Sequence, residues 1–286
     1  MTSKIGVDIA RIDALDKVTG KALFPADLMS SDMLYMKILF AGRPHARVRS
    51  IDVTKAESCP GVVAVFTASD VPVNEYGLIN ADQPVLVGPG SNKKGADIAR
   101  FVGDQIALVV AETEEAAIEA RDLILVNWTD LPVVTDPYKA MKPDAPMLFE
   151  SRDSNIIKHN RVRAGDVGSA WKNCEVIVES VYRTPWQEHA YLQPEAGISY
   201  IDSDGRITVE VAGQWVHEEQ KQIAHALGLA IDQVRVIHPA IGGAFGGRED
   251  VSVQIVLALA VWHLHQRGIK RPVKIVWSRE ESIIGH

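Results

Sequence analysis

Cysteine is almost missing from this chain: 286 residues include only Cys59 and Cys174. They lie far apart and neither sits in a CxxC or Cys/His spacing, which excludes a disulfide framework and a thiolate cage for zinc or an iron–sulfur cluster. Both are expected to be thiols buried in a core. Long apolar runs are missing too. No stretch approaches the roughly 18 uninterrupted apolar residues of a membrane span, and the opening MTSKIGVDIARID has no apolar segment of the kind a secretory leader carries. The cytoplasm is the expected location. Blocks of like charge are also lacking: 30 basic and 37 acidic residues are mixed along the chain for a net charge of -7, which argues against nucleic acid or an anionic membrane as the main partner. Internal repeats and low-complexity tracts are not seen either. What remains is 47% apolar and 23% charged, enough for one large domain or two medium ones with real cores.

The first half reads as strands alternating with short helices. Leu34–Phe40 and Val62–Phe66 are β-rich, and Ile106–Val110 is a continuous apolar run of the kind a sheet centre buries. Thr54 to Glu57 reads as a capped turn ended by Cys59-Pro60-Gly61, and Thr113 as the cap of a helix running to Arg121. From Lys139 to about Asn160 the composition turns to Lys-Pro, Ala-Pro and a polar run, which marks a connector. The expected domains are therefore residues 1–145 and 146–286. In the second, Gly165-Asp166 opens a short helix reaching Trp171, and Glu175–Tyr182 alternates as a strand. Asp202–Gly205 makes a hairpin turn before the strand Ile207–Ala212. A helix from about Glu218 to Leu227 stops at Gly228, and the strand Val234–Ile237 follows. An apolar helix from about Val251 to Gln266 and the strand Val273–Trp277 come last.

Two segments suggest chemistry. Gly242-Gly-Ala-Phe-Gly-Gly247 places four glycines in six residues between a strand and a helix. Glycine there lets backbone N–H groups approach a ligand and adopt positive φ, a nest suited to an anion or a metal-oxo oxygen. The segment lacks the GK[ST] of a P-loop and the GxGxxG-plus-acid pattern of a dinucleotide fold. The plainer alternative is a turn kept for tight strand–helix packing. Gln214, after the strand ending near Ala212, carries an amide with two donors and one acceptor and no charge, so it can steady an oxo ligand that a carboxylate would repel. Taken alone, it reads as a surface or turn residue.

Gln214, then Phe245 within GGxFGG 31 residues later, then Glu249, resembles the molybdenum subunits of the xanthine dehydrogenase/aldehyde oxidoreductase family. The likeness runs along nearly the whole chain through Lys17–Ala22, Pro44–Arg47 with Ile51-Asp52, Pro60–Val62, Val102–Asp104, Gly165–Val167, Glu188–Leu192 and Ser278–Glu281. It implies an α+β architecture, an α/β-hammerhead domain followed by the first part of a molybdopterin-binding region. It also implies that Gln214 hydrogen-bonds a molybdenum oxo group and that Phe245 and Gly246 present backbone atoms to the metal's ligand shell. Gly243 and Gly247 would let the loop pass beside the cofactor, and Glu249 would face the substrate.

Arg248, where purine-oxidising relatives usually have lysine, is expected to satisfy loop carbonyls or to form an outward salt bridge rather than to act in catalysis. Glu188 and His189 are expected to pack as a site wall. Trp186 and Trp215 read as core or interface residues, with channel lining as the alternative. The resemblance further implies molybdenum–molybdopterin, expected in its cytosine dinucleotide form, with [2Fe-2S] clusters and FAD in partner subunits. The reaction inserts a water-derived oxygen at a carbon flanked by heteroatoms, a purine such as xanthine being favoured, or at an aldehyde carbon. A nicotinate-type oxidoreductase on the same framework, a non-catalytic scaffold and a phosphate-binding nucleotide enzyme are the alternatives. The family's catalytic base and substrate-binding arginine lie in a C-terminal half not found here. The expectation is that no catalytic residue lies in this chain and that a second molybdopterin-binding chain or a missing segment completes the site.

Overall fold

A computed structural model describes residues 5–286; Met1–Lys4, the start of the expected first domain, lie outside it. Among the described residues ten strands are formed: β1 (Leu34–Phe40), β2 (Ala46–Asp52), β3 (Val62–Phe66), β4 (Ile98–Ala99), β5 (Gln105–Ala111), β6 (Leu125–Asp130), β7 (Ala196–Ile201), β8 (Ile207–Val211), β9 (Val234–Ile237) and β10 (Val273–Val276). Seven make one sheet in the order β3-β5-β1-β10-β7-β8-β9, and β4-β2-β6 make a second. The apolar run in β5 is buried along almost its whole length, as befits a strand flanked by β1 and β3 and covered on its faces. Strands from both sides of the expected boundary share the large sheet. Leu34 pairs in parallel with Val273, and the Leu34 N–H donates to the Pro272 carbonyl. The connector is thus a change in composition, and β1–β10 pairing carries hydrogen bonds across it.

Residues 5–131 with 189–286 form one compact unit, and Pro132–Glu188 a second, smaller one. In the larger unit the helices Val216–Leu227 and Gln254–Gln266 bury Ile223, Leu227, Leu257 and Leu259 in the main core, together with Val209 and Val211 of β8. Local chemistry sets their ends. Gly228 takes φ +65° and closes the first of them as a left-handed cap. Asp202 accepts from the N–H groups of Asp204 and Arg206, fixing the β7–β8 hairpin. Thr113 caps the helix Glu114–Asp122 by accepting from the Ala116 N–H. Replacing Thr113 with alanine is expected to cost about 1 kcal/mol, read as a lower urea midpoint with an unchanged slope.

Three expectations need correction. The segment Glu175–Tyr182 is in no strand; it runs exposed, with Val176, Val178 and Val181 facing solvent. An alternating pattern specifies a half-buried strand only when a sheet edge and a core are there to receive it, and the smaller unit offers neither among the described residues. Cys174 is exposed for the same reason, its thiol donating to the Ala170 carbonyl, while Cys59 is half-buried. Thr54 is the first residue inside its short helix, and the preceding Val53 stands at the cap without a side-chain bond.

Candidate cofactor site

Topology gathers the segments that the sequence separates. β8 and β9 are parallel neighbours, Glu210 opposite Ile237, so their C-terminal ends emerge together. Gln214 follows the first and the glycine loop the second. β7 is antiparallel to β8, with Gly197 opposite Val211, and this brings residues 189–195 to the same end. β10 is antiparallel to β7, Val276 opposite Ala196, which adds Trp277 and the helix Arg279–Ile284. The C-terminal ends of adjacent parallel strands are where open sheets ordinarily hold ligands.

Gln214 and the loop meet through reciprocal bonds. The Gln214 N–H donates to the Arg248 carbonyl at 3.0 Å, and the Arg248 N–H donates to Gln214 Oε1 at 3.2 Å. An N–H needs an oxygen opposite it, so the second bond fixes which way the amide lies and leaves its Nε2 donors on the exposed side, with no acceptor among the described residues.

Within the loop Phe245 takes φ +53° and is exposed, Gly243 takes +109° and Gly246 +91°. The N–H groups of Gly243, Ala244, Phe245 and Gly246 find no acceptor among the described residues. A Cβ on Gly246 would meet open space, whereas one on Gly243 would come 2.8 Å from Tyr191 Cβ and one on Gly247 2.9 Å from the His189 ring. The loop lies pressed against residues 189–191 through Gly243 and Gly247, and its exposed residues are Phe245 and Gly246.

Beneath it is a buried charge cluster. Arg248 is only 2% exposed. Its guanidinium donates to the carbonyls of Gly243 (3.0 Å) and Gln193 (2.5 Å), lies 4.0 Å over the Tyr191 ring and pairs with Glu195 at 3.5 Å. Glu195 also accepts from Tyr191, from Ser282 Oγ at 2.5 Å and faces His286 Nε2 at 3.1 Å. Burial would raise the Glu195 carboxyl, but the bonds from His286, Ser282 and Tyr191 outweigh it and hold the group down from 4.5 to about 2. Burial and the Glu195 charge push the Tyr191 phenol well above its ordinary value.

A depressed folded-state pKa stabilises the fold fully above the unfolded value and ceases to as pH falls through the folded one. Between pH 4.5 and 2 this contribution, on the order of 3 kcal/mol, is expected to vanish. Urea titrations across that range should show the natural chain losing more stability than Glu195→Gln; identical slopes would contradict this.

Glu249, half-buried, follows the loop, and exposed Asp250 stands next to it. Partial desolvation by the neighbouring chain and the Glu249 charge raise the Asp250 carboxyl. The His189 ring packs on Gly247, while Trp186 and Trp215 are exposed and belong to no core. Sequence reasoning missed Tyr191, Gln193 and Glu195 as supports of the loop. The signal available was the Ser278-x-x-Glu281 capping box, which fixes the helix that delivers Ser282.

Among the described residues no group of three or more His, Cys, Asp or Glu could cage a bare metal ion. The site instead offers uncharged donors, the Gln214 amide and the backbone N–H groups of residues 243–246, with open room over Gly246. That set suits the oxo and anionic oxygens of a metal cofactor that brings its own ligands.

Residues 148–286 match the family described as molybdopterin cofactor-binding domain, and residues 19–132 the α/β-hammerhead domain of aldehyde oxidase and xanthine dehydrogenase. The chain is 37% identical over 279 residues to the nicotinate dehydrogenase large molybdopterin subunit of Eubacterium barkeri, covering 97% of itself and 62% of that protein. To a probable xanthine dehydrogenase subunit of Bacillus subtilis strain 168 it is 36% identical, covering 96% of itself and 35% of that protein. It superposes on aldehyde oxidoreductase from Desulfovibrio gigas with a TM-score of 0.85 and 26% identity, over 96% of this chain and 30% of that one. The chain therefore spans between about a third and three-fifths of its relatives' length.

Proposed function

Because the chain belongs to the molybdenum hydroxylase family, we propose that it forms part of an oxidoreductase that hydroxylates a nitrogen heterocycle, a purine such as xanthine or hypoxanthine being favoured. The observation that carries this reading is the meeting of Gln214 with the glycine loop, each keeping donors without an acceptor among the described residues. When bound, the molybdopterin cofactor supplies the two-electron oxidation and a water-derived oxygen. Gln214 Nε2 and the backbone of Phe245 and Gly246 would hold the cofactor's oxo and other ligands, Gly243 and Gly247 would let the loop pass beside it, and Glu249 would accept hydrogen bonds from ring N–H groups of the substrate. We assign residues before about 145 to the hammerhead domain and those after it to the incomplete cofactor-binding region. The cytosine dinucleotide form, [2Fe-2S] and FAD partner subunits and a cytoplasmic site of action belong to the same proposal.

The remainder of the cofactor-binding region, on a second chain or a further segment, supplies the catalytic base. The share of each relative's length that the chain spans supports this. The 286-residue chain alone is accordingly expected to hold no stoichiometric molybdenum and to show no turnover; metal and activity in the purified chain would refute it.

A second reading, nicotinate hydroxylation, is favoured by the extent of the match to the nicotinate dehydrogenase subunit. Against it stand the adjacent carboxyls of Glu249 and Asp250, which disfavour an anionic substrate and suit a neutral ring rich in N–H groups. Metal analysis of the complete enzyme, with dye reduction against purines, pyridine carboxylates and aldehydes, tests both. Stoichiometric molybdenum with purine turnover is the expected result. A molybdenum-free complex would overturn the proposal, and turnover of nicotinate alone would install the second reading.

A further inference from the structure

Arg248 stands where Gln214 meets the glycine loop and is bonded to both. We propose that Arg248 is the positioning residue that sets Gln214 and the glycine loop in one register, its backbone holding the amide and its guanidinium holding the loop. The proposal rests on the reading of those two elements as the cofactor-facing ones, yet it concerns groups of this chain alone.

The geometry is specific to arginine. Its main chain makes both bonds to Gln214, at 3.0 and 3.2 Å. One guanidinium nitrogen, Nη1, donates to the Gly243 carbonyl at 3.0 Å and to Gln193 Oε1 at 3.3 Å, and Gln193 Oε1 in turn accepts from the Gly242 N–H at 2.8 Å. The other, Nη2, donates to the Gln193 carbonyl and faces Glu195. The first nitrogen thus ties both ends of the Gly242-Gly243 step to the segment preceding β7, while the second anchors that tie to a buried carboxylate.

A planar fork reaches these directions at once, and a lysine ammonium, a point charge on a flexible stem, meets only some of them. Tyr191 completes the arrangement by stacking under the guanidinium while its Cβ side blocks the loop at Gly243. A residue needed only for core stability would have no cause to place its backbone on one cofactor-facing element and its side chain on the other.

The test uses the complete enzyme with Arg248→Met and Arg248→Lys. Hydrogen exchange is followed in peptides spanning residues 208–217, 242–250 and, as a control, 254–266, and molybdenum is measured per protomer. In Arg248→Met, exchange in the first two peptides is expected to quicken by about tenfold with the control unchanged, and molybdenum content to fall several-fold. Arg248→Lys should recover part of both.

Unchanged exchange at 208–217 and 242–250 would overturn the proposal. So would equal loss of protection in the control peptide, which marks a plain stability role. If Arg248→Met does not accumulate, Arg248→Lys decides alone, with wild-type exchange as the refuting result. A natural enzyme without molybdenum would defeat the functional reading and leave the exchange comparison to judge Arg248 by itself.

Discussion

Gly243→Val is expected to leave the seven-stranded sheet folded and to strip stoichiometric molybdenum from the complete enzyme. Gly243 sits at φ +109°, where an L side chain is strained by about 1–3 kcal/mol. Its new Cβ would also come 2.8 Å from Tyr191 Cβ and 3.6 Å from Tyr191 Cα. Tyr191 cannot withdraw, because its ring lies under the Arg248 guanidinium and its hydroxyl is bonded to Glu195 and His286. Relief therefore comes from the loop, which moves outward into the space that the cofactor would take.

Gly246→Ala provides the contrast. Its φ of +91° carries similar backbone strain, but nothing lies within 4 Å of the new Cβ, so a smaller loss of metal is expected. Metal analysis read beside circular dichroism and a melting midpoint separates the outcomes. Full molybdenum in Gly243→Val would mean that the loop does not approach the cofactor on this side.

Gln214→Glu is expected to assemble normally and to lose turnover by about 10²-fold or more, in line with the cost of removing one preorganised donor from a charge-stabilising site. The change is nearly isosteric. One carboxylate oxygen can still accept from the Arg248 N–H, so the 213–215 turn has no reason to move. What changes is the other terminal atom: two N–H donors become an anionic oxygen. An oxo or other anionic ligand there meets repulsion in place of a hydrogen bond. Gln214→Ala should lose less, because it removes the donor without adding charge. Undiminished turnover in Gln214→Glu, with intact assembly, would favour the scaffold reading of this chain over the enzymatic one.

Much of this was legible because local signals and long-range pairing agree. The apolar centre of β5, the Thr113 cap, the Asp202–Gly205 turn and the Gly228 stop are each decided within a few residues, and each is seen where the pattern places it. The proximity of Gln214 and Phe245 came from the family resemblance; no local rule says that β8 and β9 are parallel neighbours. Glu175–Tyr182 carries a genuine strand pattern, but pattern records a preference for burial and says nothing of whether a partner is at hand. Tyr191, Gln193 and Glu195 stayed hidden for another reason. Their importance lies in Arg248, 53 to 57 residues further on, and buried ion pairs at that separation leave no periodic trace.

The converging ends of β7, β8, β9 and β10 also set an order of events. The cluster under the loop needs Ser282 and His286, and these arrive only when β10 inserts between β1 and β7, closing a sheet begun some 240 residues earlier at Leu34. Contacts of such long range form late. A nascent chain emerging from the ribosome would have the strands before Pro132 and the glycine loop well before the braces from β10 and the helix after it that stiffen that loop.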